Sequence, residues 1–131
     1  MKRGEIWLVN LDPTVGSEIR KTRPAVIASS DALAKLPIRI VVPITEWRPR
    51  FERSPWAVPI DPDGSNGLTK KSAVDATQVR AVSTNRLVQK IGRLALDSLT
   101  VLRNSEGSTK RPLSRKREKS WPLKIYQKLQ P

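Results

Sequence analysis

The chain has 131 residues, in which 25 Lys and Arg stand against 12 Asp and Glu for a formal net charge of +13. With neither Cys nor His, the sequence excludes disulfides, thiolate zinc sites, a Cys nucleophile and imidazole acid–base chemistry. The length suits one domain with a modest core, and the charge favours a polyanionic partner such as nucleic acid or an acidic protein.

Glu5 to Leu11 is rich in strand formers and stops at Asp12-Pro13-Thr14-Val15-Gly16-Ser17, so a first strand is expected, followed by a long mobile loop through Thr22. Pro24 to Ala28 is short, apolar and bounded by Pro and Ser, which predicts a mostly buried second strand. Ser29 to Leu36 has the pattern of one or two helical turns, with Ser30 or Asp31 as N-cap and Pro37 ending them. Ile38 to Ile44 reads as the third strand. From Thr45 to Ser54 the apolar pattern fails, and Trp47, Arg48, Arg50, Phe51 and Arg53 crowd into a loop or strand edge. Trp56 to Ile60 is short and holds Pro at each side, as an edge strand does. Asp61 to Gly67 is dense turn chemistry. Ser72 to Ala76, Val79 to Val82 and Leu87 to Leu94 complete the strands, with a turn at Thr84-Asn85-Arg86.

Short strands at close spacing predict a mainly β fold, either a small barrel or a half-open sheet. Asp97 to Arg103 begins like a C-terminal helix and is cut off by Asn104-Ser105-Glu106-Gly107. The chain therefore divides into a barrel domain over 1–103 and a basic extension over 104–131, which carries +6 of the +13 and is expected to be a flexible tail. No apolar run approaches the roughly 18 residues of a membrane span, and no signal-peptide core follows Met1-Lys2-Arg3, so a cytoplasmic protein is expected.

The densest block runs from Asp12-Pro13 through Gly16-Ser17-Glu18 to Arg20, Lys21 and Arg23-Pro24-Ala25-Val26-Ile27. Pro43-Ile44-Thr45 follows the third strand, and Gln78 is followed closely by Arg80 in the fifth or sixth. In that order and spacing these residues strongly resemble the MazF/PemK toxin family, from Arg3 to about Leu102. The resemblance implies a compact SH3-like barrel, a homodimer, and cleavage of single-stranded RNA at a short sequence without metal or other cofactor. The products implied are a 2′,3′-cyclic phosphate and a 5′-hydroxyl, and the implied inhibitor is a cognate antitoxin with an acidic disordered segment. Two features depart from the family. Members close with an amphipathic helix well beyond position 103, and many carry an acid where Thr77 stands here.

The residue chemistry is compatible with that reading. RNA carries its own nucleophile, so a nuclease needs only to take the 2′-hydroxyl proton, stabilise the pentavalent phosphate and assist the leaving oxygen. Arg23 supplies a permanently charged planar fork for two phosphate oxygens, or else is a structural ion-pair partner. Thr45 donates a hydroxyl to the same phosphate, or serves a turn. Glu18 is a base, an orienting partner of Arg23, or a solvated loop carboxylate. Ser17, Lys21, Gln78 and Arg80 are the expected RNA contacts of the block, the resemblance placing Gln78 on RNA where strand parity alone makes it an outward side chain. Trp47 and Arg48, with Arg50, Phe51, Arg53 and Trp56, offer stacking faces and charge for unstacked bases, or form a dimer interface or half-buried rim. Two other functions fit the same features: a binding poison of a topoisomerase on this scaffold, and a non-catalytic basic RNA-binding barrel.

Overall fold

The computed structural model describes residues 1–94. The helix expected over 97–103 and the extension over 104–131 lie outside the described residues. Seven strands build the fold: β1 (Glu5–Asn10), β2 (Thr22–Ile27), β3 (Ile38–Glu46), β4 (Ala57–Ile60), β5 (Ser72–Asp75), β6 (Arg80–Ser83) and β7 (Leu87–Arg93). They form one antiparallel sheet in the order β4-β5-β3-β2-β1-β7, with β6 also beside β3. The helical segments among the described residues are short 3-10 turns; the first, Asp31–Leu33, is capped by the Ser30 hydroxyl, which accepts from the Ala32 N–H.

Period-two alternation explains why β2 reads as an unbroken apolar run. Its odd and even residues enter two different cores. Ile6, Val26, Val42 and Ile44 pack with Val58, Ile60 and Val74 in one core. Val9, Ala25, Ile27 and Val41 project to the other face and pack with Leu11, Val82 and Leu87. The sheet curls until its ends meet, since the loop after β4 lays Ser65 against β7, where the Arg93 N–H donates to the Ser65 carbonyl at 2.9 Å. Two glycines permit this approach. A Cβ on Gly67 would lie 2.1 Å from the Ile91 carbonyl oxygen, and one on Gly92 would lie 2.4 Å from that of Ser65. Asn66, fully buried, ties the loop by donating to the Asp61 carbonyl and accepting from the Leu68 N–H.

Several strand ends differ from the sequence expectation by one residue, and three departures are larger. Strand β2 begins two residues earlier, because Thr22 and Arg23 pair with Asn10 and Val9. Strand β3 runs on to Glu46, because β5 continues alongside it, with Thr45 opposite Ala73 and Glu46 opposite Ser72. Gln78 is not in a strand. It closes a 3-10 turn, Ala76–Gln78, inserted between β5 and β6 where both run along β3. Val74 pairs with Ile44 and Arg80 with Val41, so six steps along β5–β6 cover three steps of β3. The extra three residues form that turn.

Two buried charges lock the fold at the N-terminal edge. Arg39 donates to the carbonyls of Leu33, Ala34, Leu36 and Ile38, so one guanidinium satisfies the end of the first 3-10 turn and the chain entering β3. Glu5 accepts from the Lys2 N–H at 2.9 Å and the Trp7 indole at 3.0 Å, and pairs with Lys90 at 3.1 Å and the Met1 amine at 3.3 Å. Burial alone pushes its carboxyl up and is the largest single influence; the donors from Lys2, Trp7, Lys90 and Met1 together outweigh it and bring the pKa down to about 2.

Candidate active site

Strands β2 and β3 pair from Ile27 opposite Val41 only as far as Ala25 opposite Pro43. Pro24 and Pro43 sit at that limit, and neither has an N–H with which to extend the ladder. Beyond them the β2–β3 pairing is not continued. A formal extension of the register by two residues would match Arg23 of β2 with Thr45 of β3, which pair instead with Val9 and Ala73. By parity Arg23 shares the face of Ala25 in the second core, while Thr45 is the register partner of Ala73 in a further core with Phe51 and Ala57. Arg23 is exposed and Thr45 half-buried. The Arg23 Nε donates to the Arg20 carbonyl at 3.2 Å, a contact that engages the inner nitrogen of the fork.

The segment joining β1 to β2 covers this end of the core. Its base is pinched where the Leu11 N–H meets the Lys21 carbonyl at 2.9 Å and the Lys21 N–H meets the Asp12 carboxylate at 3.0 Å. Lys21 takes a φ of 67°, and the Asp12–Pro13 peptide is cis. Two arginines brace the outgoing limb. Arg80 donates to the Leu11 carbonyl at 3.1 Å; Arg86 donates to the Asn10 carbonyl at 3.1 Å and also to that of Asp12. At the tip, Glu18 closes a tight turn, accepting from the Val15 N–H through its carboxylate and donating its own N–H to the Val15 carbonyl. Gly16 makes the turn with a φ of +59°. On the returning limb Ile19 packs into the second core, and the Gln78 amide holds both sides of Glu18: Oε1 accepts from the Ile19 N–H at 3.1 Å and Nε2 donates to the Ser17 carbonyl at 3.3 Å.

The expected site residues thus fall into three groups. Arg23 and Thr45 each lie two residues past the last β2–β3 pair, and exposed Ser17, Glu18 and Lys21 lie on the β1–β2 loop. Glu18 is engaged with Val15 rather than with Arg23. Gln78 and Arg80 face the loop backbone and fix its course. Trp47 and Arg48 lie further along, past the end of β3. Trp47 is half-buried against Phe51, with ring centroids 5.6 Å apart, and Lys71 Nζ stands 4.6 Å from its ring centre. Together with Ala57 and Ala73 these rings form a small third core, so the aromatic run divides: Phe51 is buried while Trp56 is 46% exposed. Arg48 and Lys70 both approach Glu46, at 3.6 and 3.5 Å; these exposed pairs add little stability and leave a basic surface.

Ile19 and Arg86 act in this region without being legible in the sequence. Arg86 ends the Thr84–Arg86 turn and gives no local signal of a carbonyl 74 to 76 residues away. Among the described residues no group of three or more carboxylates is placed to hold a metal ion, and no helix is long and apolar enough to cross a membrane.

Comparison with known proteins bears on the same region. The model of the PemK-like, MazF-like toxins of type II toxin-antitoxin systems matches residues 2–105. Endoribonuclease MazF9 of Mycobacterium tuberculosis is 36% identical over 108 residues, which cover 78% of this chain and 89% of that one. Among solved structures, MazF from Deinococcus radiodurans superposes with a TM-score of 0.64 at 21% identity, covering 82% of this chain and 94% of that one. An endoribonuclease from a mycobacterial species, solved in complex with its cognate antitoxin, gives 0.58 at 16% identity, covering 82% and 90%. At these identities the superpositions bear on the fold, a MazF-type antiparallel sheet.

Proposed function

The chain belongs to the PemK-like, MazF-like toxin family, and from that premise we propose that it is an endoribonuclease that cuts single-stranded RNA at a short sequence without a metal ion. The observation that carries this reading is the end of the β2–β3 ladder at Ala25 and Pro43, with Arg23 two residues beyond it on one strand and Thr45 two residues beyond it on the other. A guanidinium and a hydroxyl are the donors that a phosphate gaining negative charge requires.

In the proposed reaction the 2′-hydroxyl oxygen attacks the adjacent phosphorus, the bond from phosphorus to the 5′-oxygen breaks, and a 2′,3′-cyclic phosphate and a 5′-hydroxyl result. Arg23 binds the non-bridging oxygens through its Nη groups, and Thr45 donates to one of them. Glu18 takes the 2′-hydroxyl proton, and solvent supplies the proton to the leaving oxygen. Nothing in this sequence of steps calls for a Lewis acid, because the fixed charge of Arg23 offsets what develops on phosphorus. Ser17, Lys21, Trp47 and Arg48 hold the flanking nucleotides. Gln78 and Arg80 take part through the loop that they brace. The same reading includes a homodimer acting in the cytoplasm and a cognate acidic antitoxin that competes for the basic face.

The test is cleavage of end-labelled single-stranded RNA in EDTA. The expected products accept a 5′-phosphate from polynucleotide kinase without prior phosphatase treatment and carry a cyclic 3′ end. Products with 3′-hydroxyl and 5′-phosphate ends, or activity that returns only with a divalent ion, overturn the mechanism. RNA binding without any cleavage overturns the assignment as an enzyme.

A further inference from the structure

Gln78 lies in a 3-10 turn rather than in a strand, and its side-chain contacts are with the β1–β2 loop. Its terminal amide meets the loop at two points, Oε1 with the Ile19 N–H at 3.1 Å and Nε2 with the Ser17 carbonyl at 3.3 Å. Both contacts fix the orientation of the amide, because the flipped arrangement would set donor against donor and oxygen against oxygen. The side chain therefore imitates a strand neighbour for one residue of loop, pairing with the backbone on either side of Glu18. Its own backbone lies in the Ala76–Gln78 turn inserted along β3, so the loop is coupled to the strand that carries Thr45. Ile19, held by the same bond, is the loop's apolar contact with the second core.

We infer that Gln78 is a positioning residue: its amide clamps the β1–β2 loop and so fixes Ser17 and Glu18 relative to Arg23 and Thr45. The inference rests on the proposed function for what the clamp serves, and on the hydrogen bonds alone for the clamp itself. One N–H and one lone pair of the amide are committed to the chain, so the side chain's orientation is set by the loop whatever else it touches. The clamp also needs both a donor and an acceptor at one side-chain tip, which an amide supplies and a carboxylate does not.

The experiment compares the full chain with Gln78→Met, which keeps length and volume but makes neither bond, and with Gln78→Glu, which keeps only the acceptor. Amide exchange measured by NMR at residues 17 to 20 reads the clamp, and single-turnover cleavage of a labelled RNA reads its consequence. Protection of the Ile19 amide should fall on the order of tenfold or more in Gln78→Met and less in Gln78→Glu. The cleavage rate at saturating RNA should fall on the order of tenfold while KM stays within about twofold of wild type, as expected of lost positioning rather than lost binding. Unchanged Ile19 protection in a folded Gln78→Met overturns the clamp. A raised KM at unchanged kcat overturns the positioning role and makes Gln78 an RNA contact. Failure of the wild-type chain to cleave any RNA overturns the proposed function, and the exchange measurement still decides the clamp.

Discussion

Replacing Glu5 by Gln tests how much of the fold rests on one buried carboxylate. The side chain is only 12% exposed, and its pKa lies at about 2 against 4.5 for a free carboxyl. At ~1.36 kcal/mol per pKa unit, that difference corresponds to about 3 kcal/mol of folding stability. The pKa is depressed in the folded state, so this contribution is complete above the unfolded value of 4.5 and is lost as pH falls through the folded value of about 2. Glu5→Gln retains an oxygen for the Lys2 and Trp7 donors but offers no charge to Lys90. At pH 7 the variant should be less stable by about 2 to 3 kcal/mol, and the gap should close as the pH approaches 2. Urea unfolding followed by circular dichroism, for both proteins at several pH values, measures the gap directly and cancels the other carboxylates. Molar salt should reduce the part contributed by Lys90, whose side chain is 47% exposed, and leave the part contributed by the Lys2 and Trp7 hydrogen bonds. Two stability profiles that run parallel from pH 7 to pH 2 would refute the reasoning, for the Glu5 charge would then contribute nothing specific to the folded state.

Three further outcomes are expected. Arg23→Lys should lower the cleavage rate about a hundredfold or more with the fold unchanged, because an ammonium keeps the charge but cannot make two parallel bonds to phosphate; near-wild-type turnover in a single-turnover assay would mark Arg23 as structural. Gly92→Ala places a Cβ within 2.4 to 2.6 Å of backbone atoms of Ser65 and Asn66 and should cost about 1 to 3 kcal/mol, read as a lowered urea midpoint, whereas Gly16→Ala meets no neighbour and should show only the smaller penalty of its positive φ. Arg39→Lys should destabilise by about 2 kcal/mol or more at unchanged cleavage chemistry, since a single ammonium cannot serve the four carbonyls of residues 33 to 38 that the guanidinium now satisfies; an unchanged melting temperature would count against that role.

Local pattern was enough for the strands. Alternation, β-branched runs and the proline and glycine clusters locate the seven strands to within two or three residues at their ends, because a pleated backbone imposes its period on whatever sequence occupies it. The block from Asp12 to Arg23 marks the loop and the charged fork as distinctive before any contact is known. Which residues meet was decided by tertiary structure. The β2–β3 ladder ends at Ala25 and Pro43, leaving Arg23 and Thr45 each two residues past the last pair, and each proline alone reads only as a strand boundary. Gln78 turns from an outward strand position into a clamp because three residues are inserted along β3, a register step that no local period records. Arg80 and Arg86 brace carbonyls 69 to 76 residues distant, and the sequence near an arginine carries no information about an acceptor so far along the chain. A sequence specifies the direction of each side chain through the local backbone; the partner it finds there depends on how the strands are ordered and in what register they pair.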